Sequence, residues 1–517
     1  MKKLTLLLCF VSFLTNGQNI TVASGKSFTI EKTGAVTMSG NFSNAGTFIL
    51  NSDSDEFSSL IIGGSVTGNI TYNRYVNSVG TNEWDLIGAP VSGQSINSFV
   101  TANTSTLATN GATKAIGYYN NTDNTWTNYT TSTIVGAGNF PLGKGFQMAT
   151  NANGTGILSF TGAPTATNQT WTIIDNDAAN SGAGTRWNLV ANPFPSYIYG
   201  NANADSSHNF LTVNSDKLND SYEAIYGYDA DGSGYTVYNN TSAALRLAPG
   251  QAFMVASDNA ENDTISFTTA MRTTTGGDDL IVGRDPIDSF ELVLKLYEGD
   301  SEIDHTKFYF GDGLSLNLDP GYDAGHFNQG ASLMSRLVEE DEGVGLVINA
   351  MGIESANDVV IPIELNREAG NNFRISIGTF NIDTAINVYL EDNVQETMTL
   401  LNDQDFELTA ENELSGVGRF FIHLTETLLS IDDKIETNYL NVFKADVNNF
   451  ITVEGLANQS NGTKLRLYTI RGKEVTFTTL NNTNNKQTIS TQGLSTGIYI
   501  VKLESGNILL TKKLFIK

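Results

Sequence analysis

The chain has 517 residues, with 29 Lys and Arg against 55 Asp and Glu for a net charge of −26, and it contains one Cys, 49 Gly, 27 Phe and 19 Tyr. So acidic a chain lacks the basic footprint that nucleic-acid binding needs, and a lone thiol excludes an internal disulfide framework. Gly, Asn, Ser and Thr interleaved with aromatic and β-branched residues point to strands and turns, and the length to several domains, hence an all-β, multidomain protein.

Residues 1–17 have the form of a secretory signal peptide: Met1-Lys2-Lys3 is a short basic start and Leu4 to Leu14 an apolar run, with cleavage expected near Gly17 or Gln18. Cys9 lies within that run, and Leu8 before it is too large for a lipoprotein site, so the mature chain is expected to carry no thiol. No later stretch approaches the ~18 consecutive apolar residues of a membrane helix. Residues 18–69 alternate short apolar pairs (Phe28 and Ile30, Val36 and Met38, Phe48 and Leu50, Leu60 and Ile62) with Gly, Asn and Ser. This predicts a short β-coil cap, solenoid-like, or a small meander.

An internal repeat follows. Glu83-Trp84-Asp85-Leu86-Ile87-Gly88-Ala89-Pro90 matches Arg186-Trp187-Asn188-Leu189-Val190-Ala191-Asn192-Pro193 at an offset of 103. Ala115 to Tyr119 matches Ala224 to Tyr228 at 109, and Gly143-Lys144-Gly145-Phe146 matches Gly250-Gln251-Ala252-Phe253 at 107, as Leu158 to Thr161 matches Ile265 to Thr268. These offsets predict a duplicated β-unit, residues 70–164 and 170–272, with Trp84 and Trp187, and Phe146 and Phe253, as equivalent buried residues. Beyond a polar link, residues 289–425 hold seven strand candidates: Phe290 to Tyr297, Lys307 to Phe310, Gly345 to Ile348, Val359 to Leu365, Phe373 to Ile377, Ile386 to Leu390 and Arg419 to Leu424. Seven strands in this length predict a β-sandwich.

Residues 431–517 read as a small C-terminal β-sandwich. Lys464 to Ile470 alternates polar and apolar residues up to a turn at Arg471-Gly472-Lys473, and Leu494 to Leu503 forms a hairpin with Ile508 to Lys517 across Ser505-Gly506-Asn507. From Ser430 onward there are 11 basic and 7 acidic residues, +4, which leaves −30 on the part before it. The run "LYTIRGKEV", then "LSTGIYIVKL", then "KKLFIK" resembles the type A C-terminal sorting domain of the type IX secretion system of Bacteroidetes. The family often opens on an Asn-Pro pair after an aromatic residue, where this chain has Asn441-Val442-Phe443-Lys444. The order of parts also resembles exported surface proteins of flavobacteria. The resemblance implies a route through the periplasm to the cell surface or medium, with the type IX machinery and its sorting protease as partners. It places the sorting signal on Gly472, Lys473, Gly497, Tyr499, Lys512 and Lys513, where Gly472 and Gly497 are expected to supply positive φ.

Few motifs carry chemistry. Gly138 to Lys144 matches the opening of a phosphate loop, but Gly145 stands where Ser or Thr should follow, and a strand rather than a helix comes next. Asp229-Ala230-Asp231-Gly232 resembles the start of a calcium loop without its downstream Glu, so a hairpin turn and a cation site at Asp229 and Asp231 are the alternatives. Asp312, Asp319 and Asp323 form a second such candidate, and calcium is the one cofactor these residues suggest. His208, His305, His326 and His423 have no zinc spacing, no nucleophile elbow occurs, and Glu339-Glu340-Asp341-Glu342 reads as a solvated turn. Trp126 and Tyr235, at matching places near turns of the repeat, are the candidates for contact with a ligand, a surface glycan being the natural partner for exposed rings. The reading is an exported protein with a structural, adhesive or glycan-contacting role and no evident catalytic site; the alternative is a secreted polysaccharide-active enzyme with an unlocated carboxylate pair.

Overall fold

Strands of alternating burial dominate the structure, a computed structural model that describes every residue except 1–18, 80–83, 153, 178–183, 230–233, 260–261, 278, 280–289, 328–330, 384, 427–439, 445–449, 460–461, 470–472, 496, 507 and 517. The expected signal peptide, Asp231 and Gly472 lie outside the described residues. The chain divides into two compact units, one of Met1–Leu218, Ile225–Tyr238 and Ser242–Asp285, the other of Asn219–Ala224, Asn239–Thr241 and Pro286–Lys517.

The first unit begins with β1 (Ile20–Val22), β2 (Ser27–Ile30), β3 (Ala35–Met38), β4 (Phe42–Asn44), β5 (Thr47–Asn51), β6 (Ser59–Ile62), β7 (Val66–Thr67) and β8 (Ile70–Tyr75). β1, β4 and β7 pair in parallel, as do β2, β5 and β8, and β3 and β6. Every third strand stacking in parallel makes this a three-sided β-solenoid. Its inward residues, among them Val22, Ile30, Met38, Phe42 and Leu50, are buried, because alternation sends every second side chain inside. Asn side chains stack at one corner: Asn41 N–H donates to Asn19 Oδ1 (2.7 Å) and Ser65 N–H to Asn41 Oδ1 (2.9 Å).

The first copy of the repeat contains β9 (Asp85–Ile87), α1 (Ile96–Ala102), β10 (Thr109–Asn110), β11 (Thr113–Asn120), β12 (Thr125–Thr130), β13 (Phe146–Met148) and β14 (Ile157–Gly162). The second contains β15 (Gln169–Ile173), β16 (Trp187–Ala191), β17 (Tyr197–Tyr199), α2 (Phe210–Asn214), β18 (Ile225–Asp229), β19 (Gly234–Tyr238), β20 (Arg246–Leu247), β21 (Ala252–Ala256) and β22 (Asp263–Phe267), followed by β23 (Arg272–Thr273). The sheets run β9-β13-β11-β12 and β16-β21-β18-β19, and the flanking ladders β8–β14 and β15–β22 also correspond. The register agrees residue by residue. Phe146 lies opposite Ile87 as Phe253 lies opposite Val190, and Gly117 opposite Gln147 as Tyr226 opposite Met254. Each short helix ends in a buried Asn that clasps the neighbouring hairpin. Asn103 Nδ2 donates to the Phe99 and Ser159 carbonyls and its Oδ1 accepts from Ser159 N–H; Asn214 does the same with Phe210 and Ser266.

Phe146 and Phe253 are buried as expected. Trp84 and Trp187 are only half-buried, against expectation. Trp84 precedes its strand and rests on Ala108, Ala115 and Ala149, while Trp187 is the first residue of β16 and meets Tyr226 edge-on at 4.6 Å. Rings at the strand ends keep one face outside the core.

The two copies meet across a pseudo-twofold axis. Gly88 N–H donates to the Gly250 carbonyl (2.7 Å) and Ala191 N–H to the Gly143 carbonyl (2.9 Å), and the bridges Ile87–Gln251 and Lys144–Val190 are likewise exchanged by swapping copies. Such an isologous contact brings equivalent positions face to face. A Cβ on Gly88 would stand 2.3 Å from that of Ala191, its own counterpart, and one on Gly145 would stand 2.8 Å from that of Ala252. The axis therefore has room for one methyl per position, and the chain places Gly in one copy and Ala in the other.

In the second unit, β24 (Glu291–Glu298), β25 (Ser301–Gly311), β26 (Ala324–Gly325), β27 (Ser332–Ser335), β28 (Leu346–Gly352), β29 (Asp358–Asn366), β30 (Asn372–Asn381), β31 (Ile386–Asp392), β32 (Thr397–Leu400), β33 (Phe406–Thr409) and β34 (Phe420–Glu426) form one sheet. Its order is β32-β31-β34-β29-β27-β28-β25-β24-β30-β33, with β26 on β28. All seven expected strands are present and four more join them. The sheet curls so that Phe406 on the last strand meets Phe420 on the third edge-on at 5.9 Å. The two layers of the sandwich are thus halves of one continuous sheet, sharing a core of Leu294, Ile361, Phe373 and Ile422.

The C-terminal sandwich pairs a sheet of β35 (Asn441–Lys444), β36 (Phe450–Glu454) and β39 (Gln487–Ser490) with one of β38 (Glu474–Leu480), β37 (Thr463–Thr469), β40 (Gly497–Ser505) and β41 (Ile508–Ile516). Val442, Val453, Leu465, Leu467, Val501 and Ile516 fill the space between them.

The axis yields a prediction. Gly88→Ala should destabilise the protein by about 1–3 kcal/mol through overpacking, and adding Ala191→Gly should recover at least half of that loss. Denaturant midpoints of the single and double variants check it; equal midpoints for the single variant and the unchanged protein would contradict the packing argument.

Candidate functional site

Trp126 and Tyr235 occupy equivalent places. Tyr119 lies opposite Trp126 in the β11–β12 ladder and Tyr228 opposite Tyr235 in β18–β19. Directly opposed residues share a sheet face, and the ring centroids are 5.2 and 5.4 Å apart, the spacing of interacting aromatic pairs. Trp126 is 37% exposed and the three tyrosines are half-buried. The Tyr119 hydroxyl donates to Asn124 Oδ1 (2.8 Å) and lies 2.8 Å from Thr185 Oγ1 of the other copy. Burial first, then the oxygens of Tyr228 and Tyr119, holds the Tyr235 phenol above its ordinary range. The contact with Thr185 sets the first ring pair against the second copy.

The acidic candidates serve the backbone. Asp319 Oδ2 accepts from Ser315 N–H (2.7 Å), and Asp323 accepts from Asp319 N–H (2.6 Å) and Ala350 N–H (2.7 Å), while Asp312 is exposed and apart. Asp229 closes β18 opposite Gly234. Among the described residues no group of three or more His, Cys, Asp or Glu is placed to hold a metal ion. The histidines are scattered into separate carboxylate pairs, His326 with Asp304 and His423 with Glu391. The run ending at Lys144 leads into strand β13, so no helix N-terminus faces it.

Buried carboxylates were not legible in the sequence. Asp85 accepts from Asn77 N–H (2.7 Å) and Asn77 Nδ2 (2.9 Å), and its acidity is weakened to about 7 by burial and then by the charge of Asp279. Asp279 in turn is bound by Arg74 Nη2 (2.5 Å), whose side chain is wholly buried, donates to the Pro249 and Tyr75 carbonyls, and lies 4.1 Å over the Phe57 ring. Both carboxylates are engaged in holding loops. In the second unit, burial pushes Glu223 and Asp323 each up to about 7. Glu223 has no hydrogen-bond partner among the described residues; Asp220 adds to the effect.

The C-terminal sandwich places the residues expected to carry the sorting signal as follows. Thr469 N–H donates to the Lys473 carbonyl (2.9 Å), and Lys473 is exposed. Tyr499 is buried and its hydroxyl donates to the Ser495 carbonyl (2.9 Å). Gly497 opens β40 opposite Ile516, and positive φ is found at Gly493 (89°) and Gly506 (58°), on either side of that strand. Lys512 pairs with Val501 and Lys513 with Ile500. Burial lowers the Lys512 pKa, and the carboxylates of Asp341 and Glu339, in the same unit, oppose that shift.

Residues 10–423 match the family model described as Domain of unknown function (DUF8693). The chain belongs to that family. Residues 445–517 of this DUF8693 chain match the Secretion system C-terminal sorting domain, so the protein is sorted by type IX secretion, interacts with that machinery, and is delivered to the cell surface or medium. A search of curated proteins finds no match. The DUF8693 match covers the solenoid, both repeat copies and the large sheet almost entirely, and the sorting match begins after β35.

Two predictions follow from these geometries. Deleting Lys512 to Lys517 removes five of the nine β40–β41 register pairs and the buried Leu514 and Ile516, so the cargo should fold yet remain in the periplasm; fractionation with protease resistance of the cargo checks this, and normal surface amounts would contradict it. The second concerns acid. A carboxylate raised in the folded state favours folding below its unfolded pKa and loses that contribution as pH rises through the folded value. Stability should therefore fall between about pH 5 and 8, and Glu223→Gln should flatten that slope and add on the order of 2 kcal/mol at pH 8, as read from urea melts across pH.

Proposed function

We propose that the duplicated β-unit is a glycan-contacting module, carried to the surface by the sorting domain as a binding or adhesive component. The observation behind this reading is the pair of ring pairs, Tyr119 with Trp126 and Tyr228 with Tyr235, standing at the same place in both copies. Core packing explains rings such as Phe146 and Phe253, which are wholly buried. It does not explain an indole 37% exposed on an outer hairpin. Aromatic faces stack on the C–H faces of sugar rings, and flat, rigid side chains lose little conformational entropy when they do so. Two such pairs suit an extended chain of sugars better than a single one, since linked contacts reinforce each other.

The test is a glycan array on the full chain, followed by titration of any bound oligosaccharide. Trp126→Ala should weaken binding about tenfold, the scale of a lost ring contact, and leave the melting temperature unchanged because the side chain contributes little to the core. An array with no bound glycan, or equal affinity in the variant, would overturn the reading.

A further inference from the structure

Lys144 is a charge that the fold does not require. Its ammonium lies 5.1 Å from the Tyr118 ring, 5.6 Å from Phe146 and 5.9 Å from Trp171. No carboxylate among the described residues comes within ion-pair distance of it, in a chain with 55 acidic residues. Burial alone lowers its pKa. Cation–π contacts of this length return part of the lost hydration, and none of the described residues accepts a hydrogen bond from the nitrogen.

The second repeat copy serves as an internal control. The equivalent of Lys144 is Gln251, whose backbone makes the symmetry-related bridge, to Ile87 where Lys144 bridges Val190. Gln251 is buried, and its Oε1 accepts the Ala248 N–H at 2.8 Å. A neutral side chain therefore satisfies this position in the same seam. The position equivalent to Tyr118 differs too, being Gly227, so the second copy lacks the ring that stands nearest the ammonium. Tyr129 extends the group, its ring 5.6 Å from that of Tyr118. Tyr118, Tyr129, Trp171 and Lys144 are all half-buried, leaving one side open. Tyr118 follows the alternation of β11 to the face opposite Tyr119, so this group is separate from the Tyr119 and Trp126 pair.

We propose that Lys144, with Tyr118, Tyr129 and Trp171, forms a binding site for an acidic sugar unit, a uronate within a polysaccharide. The ammonium takes the carboxylate as the counter-charge that the protein does not supply, and the three rings take the apolar face of the pyranose. A small inorganic anion would use the charge and leave the rings idle; a neutral sugar would use the rings and leave the ammonium unpaired. The inference rests on the reading of the repeats as a glycan-contacting module but uses different residues.

The experiment measures the full chain and its Lys144→Gln and Trp126→Ala variants against polygalacturonate and against a neutral β-glucan, by calorimetry at low and high salt. Lys144→Gln reproduces the residue that the second copy already carries, and its melting temperature verifies folding. The expected result is at least a tenfold loss of polygalacturonate affinity in Lys144→Gln, the scale of one charge-assisted hydrogen bond, with a reduced salt dependence and no change toward neutral glucan. Unchanged polygalacturonate binding by Lys144→Gln, or no polygalacturonate binding by the unaltered chain, overturns the site. If Lys144→Gln loses the acidic polymer while Trp126→Ala binds both polymers normally, the site stands and the outer ring pairs fail as the glycan contact. Neutral glucan binding that depends on Trp126, without any binding of polygalacturonate, has the opposite meaning.

Discussion

The first unit is organised by the contact across the pseudo-twofold axis, where two copies of one β-unit approach until backbone meets backbone. Close approach is what allows Gly88 and Ala191 to donate to the carbonyls of Gly250 and Gly143, and those bonds satisfy strand groups that would otherwise be buried without partners. Identical halves could not do this with Ala at both places, since the two methyls would overlap. Duplication followed by divergence to Gly on one side resolves the clash at both axial positions. The strands beside the axis are accordingly apolar on both faces: β21 is buried along its whole length and β16 in all but its first residue, the pattern of central rather than half-exposed strands.

With no cysteine among the described residues, loops are fixed by polar side chains instead of disulfides. Asn103 and Asn214 each use both amide functions inside the protein, so no buried polar atom is left as a cost to set against the bonds gained. Arg74 does this on a larger scale, tying the carbonyls of Tyr75 and Pro249 and the carboxylate of Asp279 to one buried guanidinium. Removing such a group leaves the remaining charge buried and unpaired, a loss of about 3–5 kcal/mol. Conformational definition around the repeat cores therefore draws on the amides of Asn103 and Asn214 and on the Arg74 guanidinium.

Much of this architecture was legible in the sequence because period-two burial has a direct signature. The seven strand candidates of the large sheet lie on seven strands of the structure, and the offsets 103, 107 and 109 are the register of the two copies. What escaped notice had weaker signals. β27 is buried on both faces, with Ser at both ends, and β32 is an exposed edge, so neither alternates. The clasp was readable, since Phe99-Val100-Thr101-Ala102-Asn103 matches Phe210-Leu211-Thr212-Val213-Asn214, but short helices of mixed burial are easily passed over in a strand-rich chain. The half-exposure of Trp84 and Trp187 depends on where a strand begins, a boundary that alternation does not locate. In the sequence Lys144 belongs only to the phosphate-loop resemblance; that its charge is unmatched follows from which rings and carboxylates the fold brings near.

The C-terminal label has a core of its own and also packs on the large sheet, where Phe443 joins Val360 and Phe421 in a shared buried cluster. The C-terminal sandwich closes its own apolar interior, from Val442 to Ile516, and its longest ladder is the β40–β41 hairpin. Its sequence therefore answers to its own packing and to the secretion machinery that reads it. The cargo's constraints are different: an axis that admits one methyl, amides that must close, and a net −30 that keeps copies apart by repulsion. Within so acidic a cargo, a half-buried cation beside three rings is not needed for solubility, and the neutral Gln251 at its mate shows that it is not needed for the seam. The features that depart from the cargo's own symmetry and charge are thus the ones through which ligand recognition can be sought.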